Sequence, residues 1–198
     1  MFQSKYRSYK QNHLLSGGFG LVEMMVSIGI LVLVMSVILA NHQAFNHAVL
    51  LKSQAYEIAF KVREAQLFAV SVTGDSGDFR KVYGVHFNDS TSNGVYKVFR
   101  DNNATQNYYY DSVSEEFGEQ GVLDPRFEVS DIRLLGSAVT PNDLSIIFTR
   151  PNFDARFFTG PLTEPANVTG AEIDVRLRGS TSPVYTIEIT KTGQISVK

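Results

Sequence analysis

The chain contains no cysteine among its 198 residues. That excludes disulfides, thiolate metal sites and a cysteine nucleophile. Catalytic fingerprints are missing too. No G-x-S-x-G elbow, P-loop or dinucleotide-binding glycine pattern occurs, and the sequence is read as a non-enzyme that needs no cofactor. The four histidines, His13, His42, His47 and His86, are scattered without metal-ligand spacing. They are expected to be solvated or interfacial, with no metal bound. Charge is also scarce: acidic and basic residues make up 19% of the chain and the formal net charge is −2. Lys5, Arg7 and Lys10 bring three positives to a segment before Phe19 that holds no acid, so the remainder is more acidic still. Such a balance does not favour a polyanion partner. Arg150, Arg156, Arg176, Arg178, Lys191 and Lys198 could contact phosphates, yet Glu172, Asp174 and Glu188 accompany them. Ordinary paired surface charge is expected, and nucleic acid is a lesser alternative.

What the chain does have is a long apolar run. Phe19 to Ala40 is 22 residues, enough for a helix of roughly 30 Å, the thickness of bilayer hydrocarbon. The basic residues before it predict a cytoplasmic N-terminus, with everything beyond Asn41 outside. A secretory signal would place its small residues after the apolar run. Here Gly17-Gly18 precedes it, so a cut after Gly18 keeps the span in the mature protein. The run carries one acid, Glu23. An ionised carboxylate near lipid is unfavourable unless neutralised. A helix N-terminus offers it a partial positive charge. A fuller compensation is the new amine that cleavage before Phe19 would create. Between two helices displaced along their axes, the amine of one would meet the carboxylate of the next and set their stagger.

These residues carry a resemblance. The segment "GGFGLVEMMVSIGILVLVMSVILA" resembles the class III signal of type IV prepilins and pseudopilins: Gly before the scissile bond, Phe after it, Glu four residues on, and an apolar span behind a short basic leader. The resemblance implies a prepilin peptidase that cleaves between Gly18 and Phe19 and methylates Phe19, with Glu23 as the assembly and registry residue. Its implied partners are sibling pilin or pseudopilin subunits, that peptidase and an inner-membrane assembly platform. The implied location is the inner membrane, single-pass, with an extracytoplasmic C-terminal domain. Ala40 stands where major pilins often have proline, Gly20 where the family usually has Thr or Ser, and the C-terminal cysteine pair is absent. These departures resemble a minor subunit. "AFKVREAQLFAVSVTG", "IIFTRPNFDARFF" and "YTIEITKTGQISVK" are similar to the H-type minor pseudopilins of type II protein secretion. Two alternatives stand beside this: a minor pilin for pilus initiation, adhesion or DNA uptake, and a single-pass receptor or sensor whose sheet binds a ligand.

The fold class expected is α+β, pilin-like. Residues 1–18 form a leader, 19–40 a transmembrane and assembly helix, 41–73 an amphipathic helix, and 79–198 a β-rich domain. No proline or glycine interrupts Ile30 to Thr73, which predicts one helix over about 20–73. Ala44, Ala48, Leu51, Ala55, Ile58, Val62, Ala65 and Ala69 recur every three or four residues, one apolar stripe, with Lys52, Glu57, Lys61 and Arg63 off it. "TGDSGD" (73–78) predicts the helix end. Strands are expected at Val82–Phe87, Gly94–Arg100, Phe127–Leu135, Leu144–Thr149, Ala171–Arg178, Val184–Thr190 and Gln194–Val197. Ile173, Val175 and Leu177 alternate with charged residues, one face buried and one wet. "KTGQ" predicts a hairpin turn. Ser112–Pro125 reads as an acidic surface loop with Glu115, Glu116 and Glu119 solvated, and Arg150–Pro161 as an irregular excursion. "NDSTSNG" reads as turn chemistry rather than a calcium loop. Tyr108, Tyr109 and Tyr110 read as an edge strand or loop anchor rather than a base-stacking platform.

Overall fold

The computed structural model describes residues 18, 20–71, 81–89, 95–149 and 151–198, with backbone alone at 40–45. The expected leader up to Gly17, Phe19, the "TGDSGD" turn, most of "NDSTSNG", Gly94, His13, the His42 and Ala44 side chains and Arg150 lie outside the described residues. The chain divides into two compact units, residues 1–43 and 44–198.

The first unit contains the start of α1, Leu21–Val70. Gly20 lends its carbonyl to the Met24 N–H at 3.1 Å, closing the first helical turn. Ser27 and Ser36 return their hydroxyls to the carbonyls of Glu23 and Val32, both at 2.7 Å. A serine on this apolar stretch therefore leaves no unpaired donor.

In the second unit the rest of α1 lies on two antiparallel sheets. The fold is α+β, as expected. The five-stranded sheet runs β3-β2-β1-β5-β6 and the four-stranded sheet β4-β7-β8-β9. The strands are β1 (Tyr83–Asn88), β2 (Val95–Arg100), β3 (Gly121–Val122), β4 (Phe127–Leu135), β5 (Asp143–Phe148), β6 (Ala155–Phe158), β7 (Gly170–Leu177), β8 (Val184–Thr190) and β9 (Ile195–Val197). All seven strands read from alternation are present within a residue of their expected bounds. Two short strands are additions. β6 corrects the irregular excursion read over Arg150–Pro161: Ala155–Phe158 pairs with Ser145–Phe148 of β5. β3 is only Gly121–Val122 against Val95 and Tyr96 of β2, too short to leave a period.

The alanine stripe is the docking face. Leu51, Ala55, Ile58, Ala59, Val62, Ala65 and Ala69 are buried in one core with residues of both sheets, among them Phe87, Phe148, Ile132 and Ile187. Small side chains let the helix backbone come close to a sheet whose own residues are large. Polar ties fix the register: Gln66 Nε2 donates to the carbonyls of Phe153 and Gly193, both at 3.0 Å, and Arg63 donates to the Ile195 carbonyl at 3.1 Å. Gly193 sits in the predicted hairpin turn at φ +81°, where a Cβ would collide with the Phe153 carbonyl. Only glycine gives both the left-handed backbone and that approach.

A register shift on β4 between Val129 and Asp131 keeps Phe127, Val129, Ile132 and Leu134 all facing the core. Without the extra residue, strict alternation would turn two of them outward.

Candidate functional site

The residues singled out by sequence stand at the start of α1. Gly18 and Glu23 are exposed, and Glu23 lies in the first helical turn. Leu21–Leu39 is 19 residues with a mean hydropathy of 2.6 and no side chain buried, long and apolar enough to cross a membrane. Glu23 is its only ionisable residue, and among the described residues no cation pairs with it. The geometry is a helical segment, Leu21–Leu39, that covers none of its apolar surface, with one carboxylate at the end where the helix dipole is positive.

The C-terminal unit holds a second concentration of polar chemistry, which the sequence did not reveal. The face of the five-stranded sheet turned away from α1 carries Phe99, Ile147 and Phe158, packed with Val82 beneath Tyr108, Tyr109 and Tyr110. Those tyrosines belong to the connection from β2 to β3 and anchor it. Asp101, fully buried, accepts the Asn103 and Tyr108 backbone N–H groups at 3.1 and 2.9 Å. Tyr108 takes φ 63°, a conformation disfavoured for a bulky residue, and the Asp101 bond holds it there. Arg156 stacks on both Tyr108 and Phe158 at about 5 Å.

The acidic run Ser112–Pro125 is a surface loop, as expected, but two of its three glutamates, Glu115 and Glu116, are not solvated. Glu115 is buried in a single 3-10 turn, Val113–Glu115, and accepts the Asp111 N–H at 3.1 Å. Burial, with the Asp111 and Asp101 carboxylates nearby, pushes its carboxyl above the usual range. Glu116 takes Lys97 at 2.6 Å and the Tyr110 hydroxyl at 2.9 Å. The Lys97 bond holds it below the usual range. Only Glu119 matches the expectation, exposed beside Lys61 at 3.7 Å. The acids act as anchors for a loop whose backbone needs partners.

His86 corrects the expectation of a solvated histidine. It lies across β1–β5 from Ser145, 8% exposed, with its Nδ1 2.9 Å from the Ser145 Oγ and the rings of Tyr109 and Tyr110 about 5 Å away. Ser145 Oγ accepts the Tyr110 N–H at 3.2 Å, which directs its own proton toward His86 Nδ1. Burial lowers His86 to about 4, against a smaller raising effect of Asp143. A serine beside a histidine invites a nucleophile reading. The surroundings oppose it: Ser145 is fully buried and the base is weak at neutral pH. Neither residue lines either of two cavities among the described residues of this unit, one of about 540 Å³ bordered by Lys81, Asn102, Asn103, Gln106 and Tyr108, the other of about 280 Å³ bordered by Phe157, Glu164, Asn167 and Lys191. Among the described residues no group of histidine and carboxylate side chains is placed to hold a metal ion.

The basic residues are largely paired. Arg156 meets Glu164 at 2.6 Å, Arg176 meets Glu128 at 2.9 Å, and Lys198 meets Glu188 at 2.7 Å and Glu172 at 3.7 Å. No protein-family model, curated protein or solved structure matches this chain.

Proposed function

We propose that the chain is a non-enzymatic subunit of an inner-membrane-anchored filament of the pilin type, a minor pseudopilin of protein secretion. The observation that carries this reading is the solitary acid of the uncovered apolar segment Leu21–Leu39, four residues beyond Phe19 in a Gly18–Phe19 step. A single-pass anchor needs the apolar surface but has no use for Glu23, which insertion penalises. An assembling helix needs both. It stays in lipid until extraction, then buries its surface against sibling helices, while the liberated Phe19 amine of one subunit neutralises Glu23 of its neighbour. In this reading the prepilin peptidase supplies the amine and methylates it. The assembly platform draws the helix out, and the extracytoplasmic domain presents its loops to other subunits or cargo. The paired basic residues give no support to a DNA-uptake role.

Glu23→Leu tests the pairing. The variant is expected to insert in the membrane at least as well as the parent, and its recovery in filaments should fall steeply, since a desolvated amine would be left unpaired. Incorporation at the parental level would reject the pairing.

A further inference from the structure

α1 is apolar on two opposite sides. Away from the buried alanine stripe, Val49, Tyr56, Phe60 and Leu67 are 51, 54, 64 and 63% exposed. Monomers rarely display such large side chains in a line. Their positions, with the exposed Ser53 and Arg63 between them, repeat at four, three, four, three and four residues, the seam of a two-stranded coil. The residues that flank such a seam are Leu50, Glu57 and Glu64 on one side and Lys52, Ala59 and Gln66 on the other, Leu50 being half-buried against the core. Ala59 and Gln66 are committed to the β-domain. Lys52 and Glu57 are exposed.

We infer that this seam is the docking surface for α1 of a second copy of this chain, parallel and in register. Charge selects both occupant and direction. In a parallel pair each residue on the Lys52 side faces the residue five further along on the other copy. Lys52 then meets Glu57 of the second copy, and the symmetry axis repeats the bond. Arg63 and Glu64 add nothing to the pairing, because Arg63 donates to the Ile195 carbonyl at 3.1 Å and Glu64 holds Lys61 of its own chain at 3.1 Å. An antiparallel pair would set Glu57 against Glu57 of the other copy and leave Lys52 without an acid. The sheets do not obstruct the contact, because they pack on the opposite side of the helix. The seam is shorter than three heptads, so it forms a weak, reversible pair rather than a permanent coil.

This goes beyond the filament reading, and its test is independent of cleavage at Gly18. The natural absence of cysteine makes Ser53→Cys the sole thiol of the full chain, at a seam position and nearly isosteric. In membranes under mild oxidation, this variant is expected to give a disulfide-linked dimer, and Val139→Cys, exposed on the β-domain, is expected to give none. In the Ser53→Cys background, Phe60→Ala should lower the dimer yield about tenfold. Lys52→Glu should lower it about fivefold and Glu57→Lys likewise, while the two together restore it. Folded Ser53→Cys protein that gives no dimer overturns the proposal. So does equal crosslinking at Val139, an adduct with a different protein, or a yield indifferent to the charge swap.

Discussion

The two sheets share one core against α1 but treat their far faces in opposite ways. The four-stranded sheet turns a lattice of charge to water. Arg133 reaches Asp131 at 2.7 Å, Asp174 at 2.6 Å and Glu172 at 3.1 Å, Thr186 donates to Asp174 at 2.6 Å, and Arg176 pairs with Glu128 directly across the strands. The five-stranded sheet roofs its far face with three tyrosines and builds a second small core there. One sheet is therefore finished when its strands pair; the other also needs the β2–β3 connection to fold back and the buried carboxylates Asp101 and Glu115 to hold it.

The sharpest way to break this contrast is to remove one anchor from each far face. Phe99→Ala, beneath Tyr110, should cost about 4 kcal/mol in denaturant unfolding, as for any fully buried ring. An effect as small as that of a surface substitution would mean that the tyrosine roof is not a core. A smaller, pH-dependent effect belongs to the same face. His86 has its ordinary value near 6.5 in the unfolded chain and about 4 in the native one, so between those values the unfolded state holds the extra proton. Stability should be unaffected by this group above pH 6.5, fall as pH drops toward 4, and level off below, by at most about 3 kcal/mol. His86→Gln should flatten that part of the profile. The smallest effect is expected on the wet sheet. Arg133→Ala should cost about 1 kcal/mol, because its partners lie where water and salt screen them, and less at high ionic strength.

The same contrast explains what could be read in advance. β7 keeps a two-residue period because one side is wet, and it was legible from Ile173, Val175 and Leu177. The alanine stripe of α1 was legible for the same reason, one face against protein. β1 and β5 are buried on both sides, yet Val85, Phe87, Ile146 and Phe148 still marked them as strands. β6 was hidden because "ARFF" alternates over only four residues inside a proline- and glycine-rich stretch. Glu115 and His86 were hidden for another reason. Their burial is imposed by the tyrosine connection folding over the sheet, a long-range event with no local period. The exposed seam of α1 was masked by the buried one, since a helix apolar on two sides shows little net amphipathicity. At the N-terminus Gly18, Phe19 and Glu23 were fully legible as a pattern, and their meaning depends on a processing event.

That event is also the most direct measurement. The intact mass and N-terminal sequence of the protein recovered from its native membranes should begin at Phe19, one methyl group heavier than the encoded residue. A polypeptide that retains Met1, or that starts at any other residue, would contradict the account, because Glu23 would then have no amine to meet.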